Sequence, residues 1–316
     1  MARRTWMPFR MAGQFVAALI LPLAVAGCGS GGSEAGVASV PPPPPPPPPP
    51  QAASAIIPAA TASQQFVTVG AAYSTPAAAY VEMDVLDPNF SDSAQLHVRY
   101  DSASQTYEIQ LPASTVWSPI HETARYYGDA GEESALYRAG SPQDFGAFHY
   151  QLPANLQYSA LLEWFTDTKL GFAAIGIPTA SGNMPVSGTA SYTGVIAGST
   201  TEIFFDPWEA VYFPGLIRGT ISLAFNFGTG NLSGQISPTL GSTTLPGLDF
   251  TSTVYSTGST NFSGAFGTTL SGINSFSGRF TGPAGQELIG NFAFPYTSPT
   301  GGGTEQAAGA FVGRRP

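Results

Sequence analysis

The groups through which this 316-residue chain could do metal, thiol or acid–base chemistry are three histidines, one cysteine and 20 acidic residues. His97, His121 and His149 form no H-x-H, H-x-x-H or H-E-x-x-H spacing, so no zinc site follows from their pattern. His97 alternates with apolar neighbours on the wet side of an expected strand, where a histidine is solvated. His121, with Tyr126 and Tyr127, lies in a loop-like stretch that offers the side chains an axial haem contact needs. The carboxylates Asp84 and Asp87, and Glu132 and Glu133, miss the EF-hand spacing and read as solvated loop charges. No G-x-S-x-G elbow occurs, and GTGNLSG at Gly228–Gly234 lacks both the dinucleotide-loop spacing and a following helix; it is expected to be a hairpin turn. These residues predict no catalytic centre, no resident metal and no cofactor, and therefore a protein that is not an enzyme.

The single thiol, Cys28, excludes a disulfide or a cysteine-based metal site within the folded body. Its position gives it another use. Arg3, Arg4 and Arg10 make a basic start, Phe15–Gly27 is apolar but short and interrupted by Pro22, and Val25, Ala26 and Gly27 precede the cysteine. This is the pattern of a bacterial lipoprotein signal over residues 1–27, with Cys28 as the lipidation site and the membrane as a partner through that anchor. Residues 28–60 read as a tether. Within it, Pro41–Pro50 is uninterrupted proline, which in polyproline II geometry extends ~31 Å. A stiff stalk behind a lipid anchor is the simpler use, and a proline-motif ligand is the other.

One stretch is richer in rings than a connection requires. Ile203–Ile217, IFFDPWEAVYFPGLI, holds Phe204, Phe205, Trp208, Tyr212 and Phe213, which we take as the candidate ligand-binding residues. Two readings stand: the rings plug a barrel mouth or seal it against a neighbouring domain, or they form an exposed aromatic grip for a partner.

The elements that must position these groups are strands. Only 10% of residues are charged while Gly (37) and Pro (29) abound, which favours short strands and turns. In Asn274–Phe294, Phe276, Gly278 and Phe280 share one face, Gly282–Gly285 turn the chain, and Leu288, Gly290, Phe292 and Phe294 return on the same face. Glycines between large rings are the taper of a small barrel interior. Eight strands are expected, at 184–198, 219–227, 231–238, 248–256, 260–267, 274–281, 286–294 and 306–313. Their outward positions read Ser, Asn, Thr and Arg, which argues against a membrane-spanning barrel. Ahead of them order is expected from about Phe66, with a hairpin whose arms are 96–100 and 107–111, a loop-like stretch over 112–148, and strands at Tyr158–Phe165 and Leu170–Ile177. The fold class is thus all-β: a β-rich handle domain over 61–177 followed by an eight-stranded antiparallel β-barrel over 178–316.

Charge bounds the partners. The formal net charge is −9, Lys169 is the only lysine, and three of the arginines fall in the expected signal, so nucleic acid is excluded. Acid concentrates on Gln51–Ile177, with 13 acidic against 4 basic residues, which repels an anionic cell surface or faces a basic partner.

GIPTASGNMPVSGTASYTG at Gly176–Gly194 resembles the junction of transferrin-binding protein B and its smaller relatives. The matching residues are Gly176, Pro178, Thr179, Met184, Pro185, Ser187, Gly188, Thr189, Ala190, Tyr192 and Gly194. The closing GRFTGPAGQELIGNFAF and GAFVGRR are similar to that family's last strands. The resemblance covers roughly residues 90–316 and implies a handle followed by a barrel, displayed on the outer membrane at the cell surface, where it binds an extracellular protein or a haem or iron carrier. The chain has one handle and one barrel where the full-length receptor has two of each, so no ligand residues carry over. The rival class is a structural envelope lipoprotein with no specific ligand.

Overall fold

The computed structural model describes residues 56–74, 84–90, 96–111, 115–127, 133–139, 145–151, 156–166, 169–206 and 211–316. Cys28, the proline run and Trp208 lie outside the described residues, which contain no helix longer than a single 3-10 turn.

Two antiparallel sheets make up the body. The first contains β1 (Gln64–Gln65), β2 (Val67–Ser74), β3 (Asp84–Phe90), β4 (His97–Asp101), β5 (Thr106–Gln110) and β6 (Ser118–Tyr127). It continues with β7 (Glu133–Ala139), β8 (Phe145–Gln151), β9 (Ser159–Phe165) and β10 (Lys169–Gly176). The order is β1-β4-β5-β6-β7-β8-β9-β10-β2-β3, so the chain builds most of the sheet as a meander and closes it by laying β2 beside β10. The stretch 112–148, expected to be loop, instead supplies β6, β7 and most of β8. A register shift between Glu122 and Ala124 explains the error: an extra residue in one strand turns the following side chains to the opposite face and erases the period of two. The folded body also begins earlier than Phe66. Ile56 and Ile57 are buried with Val98, Ile109 and Trp164, and the Ile57 amide donates to the Tyr107 hydroxyl at 2.9 Å.

The second sheet contains β11 (Thr189–Asp206), β12 (Val211–Asn226), β13 (Asn231–Leu240), the two-residue β14 (Thr243–Thr244) and β15 (Leu248–Val254). It ends with β16 (Asn261–Phe266), β17 (Ser275–Thr281), β18 (Glu287–Thr297) and β19 (Thr304–Arg314). Since β12 pairs with both β11 and β13, the sequence of pairings β11-β19-β18-β17-β16-β15-β13-β12 returns on itself through eight strands. The thinnest link is β13 to β15, paired only at Gln235↔Asp249 and Ile236↔Leu248. The eight barrel strands agree with the sequence in number and order, but the first runs over Thr189–Asp206 where 184–198 was expected and the second over Val211–Asn226 where 219–227 was expected. The interior is filled with rings: Phe225, Phe262, Phe276, Phe280, Phe292 and Phe311 belong to one buried cluster. Small residues make room for them. A Cβ on Gly278 would come 2.2 Å from the Phe262 ring, and one on Gly290 2.0 Å from the Phe311 ring.

The polar outer wall expected of every strand holds only on part of the barrel. On β11, β18 and β19 the outward residues Ala197, Ile289, Ala310 and Val312 are buried against Leu161, Phe172 and Ala174 of the first sheet, and Ala293 and Ala308 against Ala71 and Tyr73. These three strands are covered on both faces, which is why AAGAFV reads as a continuous apolar run.

A candidate ligand-binding hairpin at one end of the barrel

The aromatic stretch is not an insertion between two strands. Ile203–Asp206 continues β11 past a register shift that begins at Ser199, and Val211–Ile217 opens β12, with Phe204 opposite Phe213 and Phe205 opposite Tyr212. The two prolines and the bulge hide this continuity in the sequence, because each interrupts alternation. Pairing sorts the rings between faces. Phe204 points inward, packs against the barrel core, and stacks on Phe213 with centroids 6.1 Å apart. Ile203 and Phe205, on the opposite face, are 37% and 51% exposed. The backbone of Tyr212 sits in β12; its side chain and the whole of Trp208 lie outside the described residues. Sealing and presentation thus divide between alternate residues of one strand.

Beneath the hairpin lies a group the sequence did not single out. Glu202 is only 7% exposed, and no cation faces it in the described contacts. Hydroxyls satisfy its carboxylate instead: Tyr296 donates to Oε2 at 2.9 Å, Ser298 donates to Oε1 at 2.9 Å, and Thr300 also donates to Oε1. Thr200 completes the set, sharing a 2.5 Å bond with the Tyr296 hydroxyl and accepting from the Glu202 amide at 2.9 Å. Burial pushes the Tyr296 phenol well above the usual tyrosine range, and the neighbouring carboxylates add to that shift. A carboxyl group taken out of water must gather hydrogen-bond partners, and this cluster ties the turn after β18 to the base of the β11–β12 hairpin. The signal in the sequence was an acidic residue inside TTEIFF.

The opposite end of the barrel is held by the residues that carried the family resemblance. Thr179 donates to the Gly282 carbonyl at 2.6 Å, and Pro178 bridges to Thr281. Met184 is buried in the barrel cluster, and the Tyr192 hydroxyl donates to the Gly285 carbonyl at 2.5 Å. Arg315 donates to that hydroxyl at 2.8 Å and lies over the Tyr192 and Phe227 rings. Gly194 lets β11 approach β19, since a Cβ there would fall 1.9 Å from the Val312 carbonyl. These residues are architectural, which agrees with carrying no ligand contacts over from them.

The other residues considered for chemistry are dispersed. His97 faces outward and pairs with the Gln65 amide at 3.2 Å, while His121 is exposed on β6. The side chains of Tyr126, Tyr127 and His149 lie outside the described set. Among the described residues no three His, Cys, Asp or Glu converge as a metal site. Gly228–Gly230 form the turn into β13.

A sheet-built handle leading into an eight-stranded antiparallel barrel defines the architecture, and comparison with known proteins places its second half. Residues 184–315 match the family described as the C-lobe and N-lobe beta barrels of Tf-binding protein B. Transferrin-binding protein B from Haemophilus parasuis Hp5, as a double mutant, aligns at 12% identity over 80% of this chain and 76% of that one, with a TM-score of 0.37. The intact Ap-TbpB with N and C lobes aligns at 12% identity over 81% and 78%, TM-score 0.36. The isotype 1 protein of serogroup B Neisseria meningitidis gives 11% identity, 81% and 77%, TM-score 0.34. No curated protein matches the chain in sequence.

Proposed function

We propose that this protein is a lipid-anchored binding protein of the outer membrane, displayed at the cell surface, that captures an extracellular protein through the β11–β12 hairpin. The observation that carries the reading is the barrel of residues 184–315, which matches a family described by the beta barrels of Tf-binding protein B. Three features of this chain support it. The only cysteine follows a basic and apolar leader, ten prolines follow the cysteine, and Phe205 and Ile203 face outward on a hairpin whose base is locked by Glu202. A pre-organised apolar projection loses little entropy on binding, which is what an interface anchor needs. An extracellular protein is favoured over a haem-type ligand, because the ring-bearing hairpin offers contact area and the described histidines are separated from it.

The anchor and its exposure are tested on intact cells. Protease added outside should digest the wild-type chain, and Cys28→Ala should leave the membrane fraction for the soluble or secreted one. A Cys28→Ala protein that still partitions with membranes after a high-salt wash would sink the lipid-anchored part of the reading.

A further inference from the structure

Away from the hairpin, two open clefts of about 380 and 410 Å³ lie side by side on the barrel wall and share Ser263 and Ser277 in their linings. Together they run over β15, β16 and β17, with Val69 of the first sheet on one rim, so the groove forms where the handle meets the barrel. Volumes of this size suit a ligand, and junctions between domains are where such grooves occur.

The chemistry of the lining is narrow. It carries no carboxylate, and its one cation, Arg279, donates to the Asn261 side chain at 3.0 Å. Serine hydroxyls and the Asn261 and Asn291 amides share the rest of the lining with Val69, Tyr255, Phe262 and Phe276. Ser252, Ser263 and Ser275 line the groove with hydroxyls that hydrogen-bond to no group among the described residues, and Ser277 donates to Asn291 at 2.5 Å. An exposed protein surface is ordinarily studded with charges of both signs, so a groove of hydroxyl, amide and apolar groups with a single charge is a departure. The most exposed of the apolar side chains, Val254 at 63%, stands at the edge.

The backbone is distorted at the same place. Ser252 has φ 46°, a left-handed conformation that a non-glycine residue adopts at a cost, and the β15–β16 register slips between Thr251 and Val254. Such bulges re-aim side chains beside binding sites. Here the slip turns Ser252 into the groove and leaves Val254 on its rim.

We infer that this groove binds a neutral glycan. A sugar ring has hydroxyls that both donate and accept and a C–H face that needs a small apolar contact, which is what free serines, amides and Val254 provide. An anion would call for more than one tethered guanidinium. The site lies on a different surface from the hairpin and does not depend on it.

The test uses the full chain in detergent, titrated calorimetrically with neutral hexasaccharides of glucose, mannose and N-acetylglucosamine, with inorganic sulfate alongside. Hydrogen exchange on the same samples locates any contact. At least one hexasaccharide should bind saturably and protect amides over 251–256, 261–264 and 275–279. Ser252→Gly combined with Ser263→Ala removes two hydroxyls while relaxing the strained backbone. It should weaken that binding about tenfold or more, as the loss of two hydrogen bonds implies, with an unchanged melting temperature. Absence of binding by all three sugars, binding that the double variant leaves intact, or protection by sulfate alone overturns the proposal.

Discussion

Glu287 at the start of β18 accepts a 2.7 Å hydrogen bond from the Ser159 hydroxyl at the start of β9, so a buried carboxylate of the barrel is held by the handle. The same carboxylate accepts from the amides of Gln157 at 2.6 Å and Tyr158 at 3.0 Å. Two backbone donors would lose this buried acceptor if it were removed. Glu287→Ala should cost about 2 to 4 kcal/mol in a thermal melt and speed hydrogen exchange at 157–159, because unsatisfied buried N–H groups cost about 1 to 3 kcal/mol each. Asp249→Ala, which removes only an exposed contact to Gln235, is the control and should be close to neutral.

Overpacking tests the barrel interior. A Cβ at Gly278 falls 2.2 Å from the Phe262 ring and 2.8 Å from the Ile289 carbonyl, and one at Gly290 falls closer to both of its neighbours, 2.0 Å from the Phe311 ring and 2.4 Å from the Ser277 carbonyl. We expect about 1 to 3 kcal/mol for the first and more for the second. Ser222→Val on the exposed wall of β12 should change the melt by less than about 0.5 kcal/mol. Equal small effects at all three positions would show that the glycines do not make room for the rings.

Alkaline stability should depend on Tyr192. Burial raises its phenol to about 12 from the ordinary tyrosine value of 10.0, against the opposing pull of Arg315. The folded pKa lies above the unfolded one, so this tyrosine's contribution is complete below pH 10.0 and is lost as pH rises toward about 12. Between those limits the unfolded chain releases the proton first. Stability should fall by about 1 to 2 kcal/mol more in the wild type than in Tyr192→Phe over that window. Parallel decline of the two proteins would contradict the assignment.

How far these features could be read from the residues depends on whether one face of a strand stays wet. The β16–β17 hairpin alternates Phe262, Phe276 and Phe280 with serines and Arg279, and its faces were legible at once. On β19 the outward Ala308, Ala310 and Val312 are as apolar as the inward Ala307 and Phe311, so burial against the handle left a run with no period. Bulges hid the rest. The shift after Glu122 concealed β6, and the shift after Ser199 made the end of β11 look like an insertion. Glu202 was passed over because nothing in sequence announces that Ser298 and Thr300, nearly a hundred residues later, return to meet it.

That cluster yields a separable prediction. Glu202→Leu leaves the hydroxyls of Tyr296, Ser298 and Thr300 without their acceptor, and should loosen the turn at 298–303 together with the hairpin base. Hydrogen exchange at 200–206 and 298–303 should rise at least about tenfold relative to the barrel's other end, with a stability loss of about 2 to 4 kcal/mol. Uniform change across the barrel would show that Glu202 does not hold the hairpin.

The measurement that bears most directly on the proposed function is capture by the full chain from host serum, comparing wild type with Phe205→Ala, Trp208→Ala and Phe204→Ala. Phe204 packs inward, so its loss should lower the melting temperature by an amount equivalent to about 3 kcal/mol. Phe205→Ala and Trp208→Ala should leave the melt nearly unchanged and weaken capture by about 2 kcal/mol, the size expected of a central aromatic anchor. If the wild-type chain retains no serum protein, or if both outward variants capture as well as the wild type, the hairpin is not the grip we take it to be.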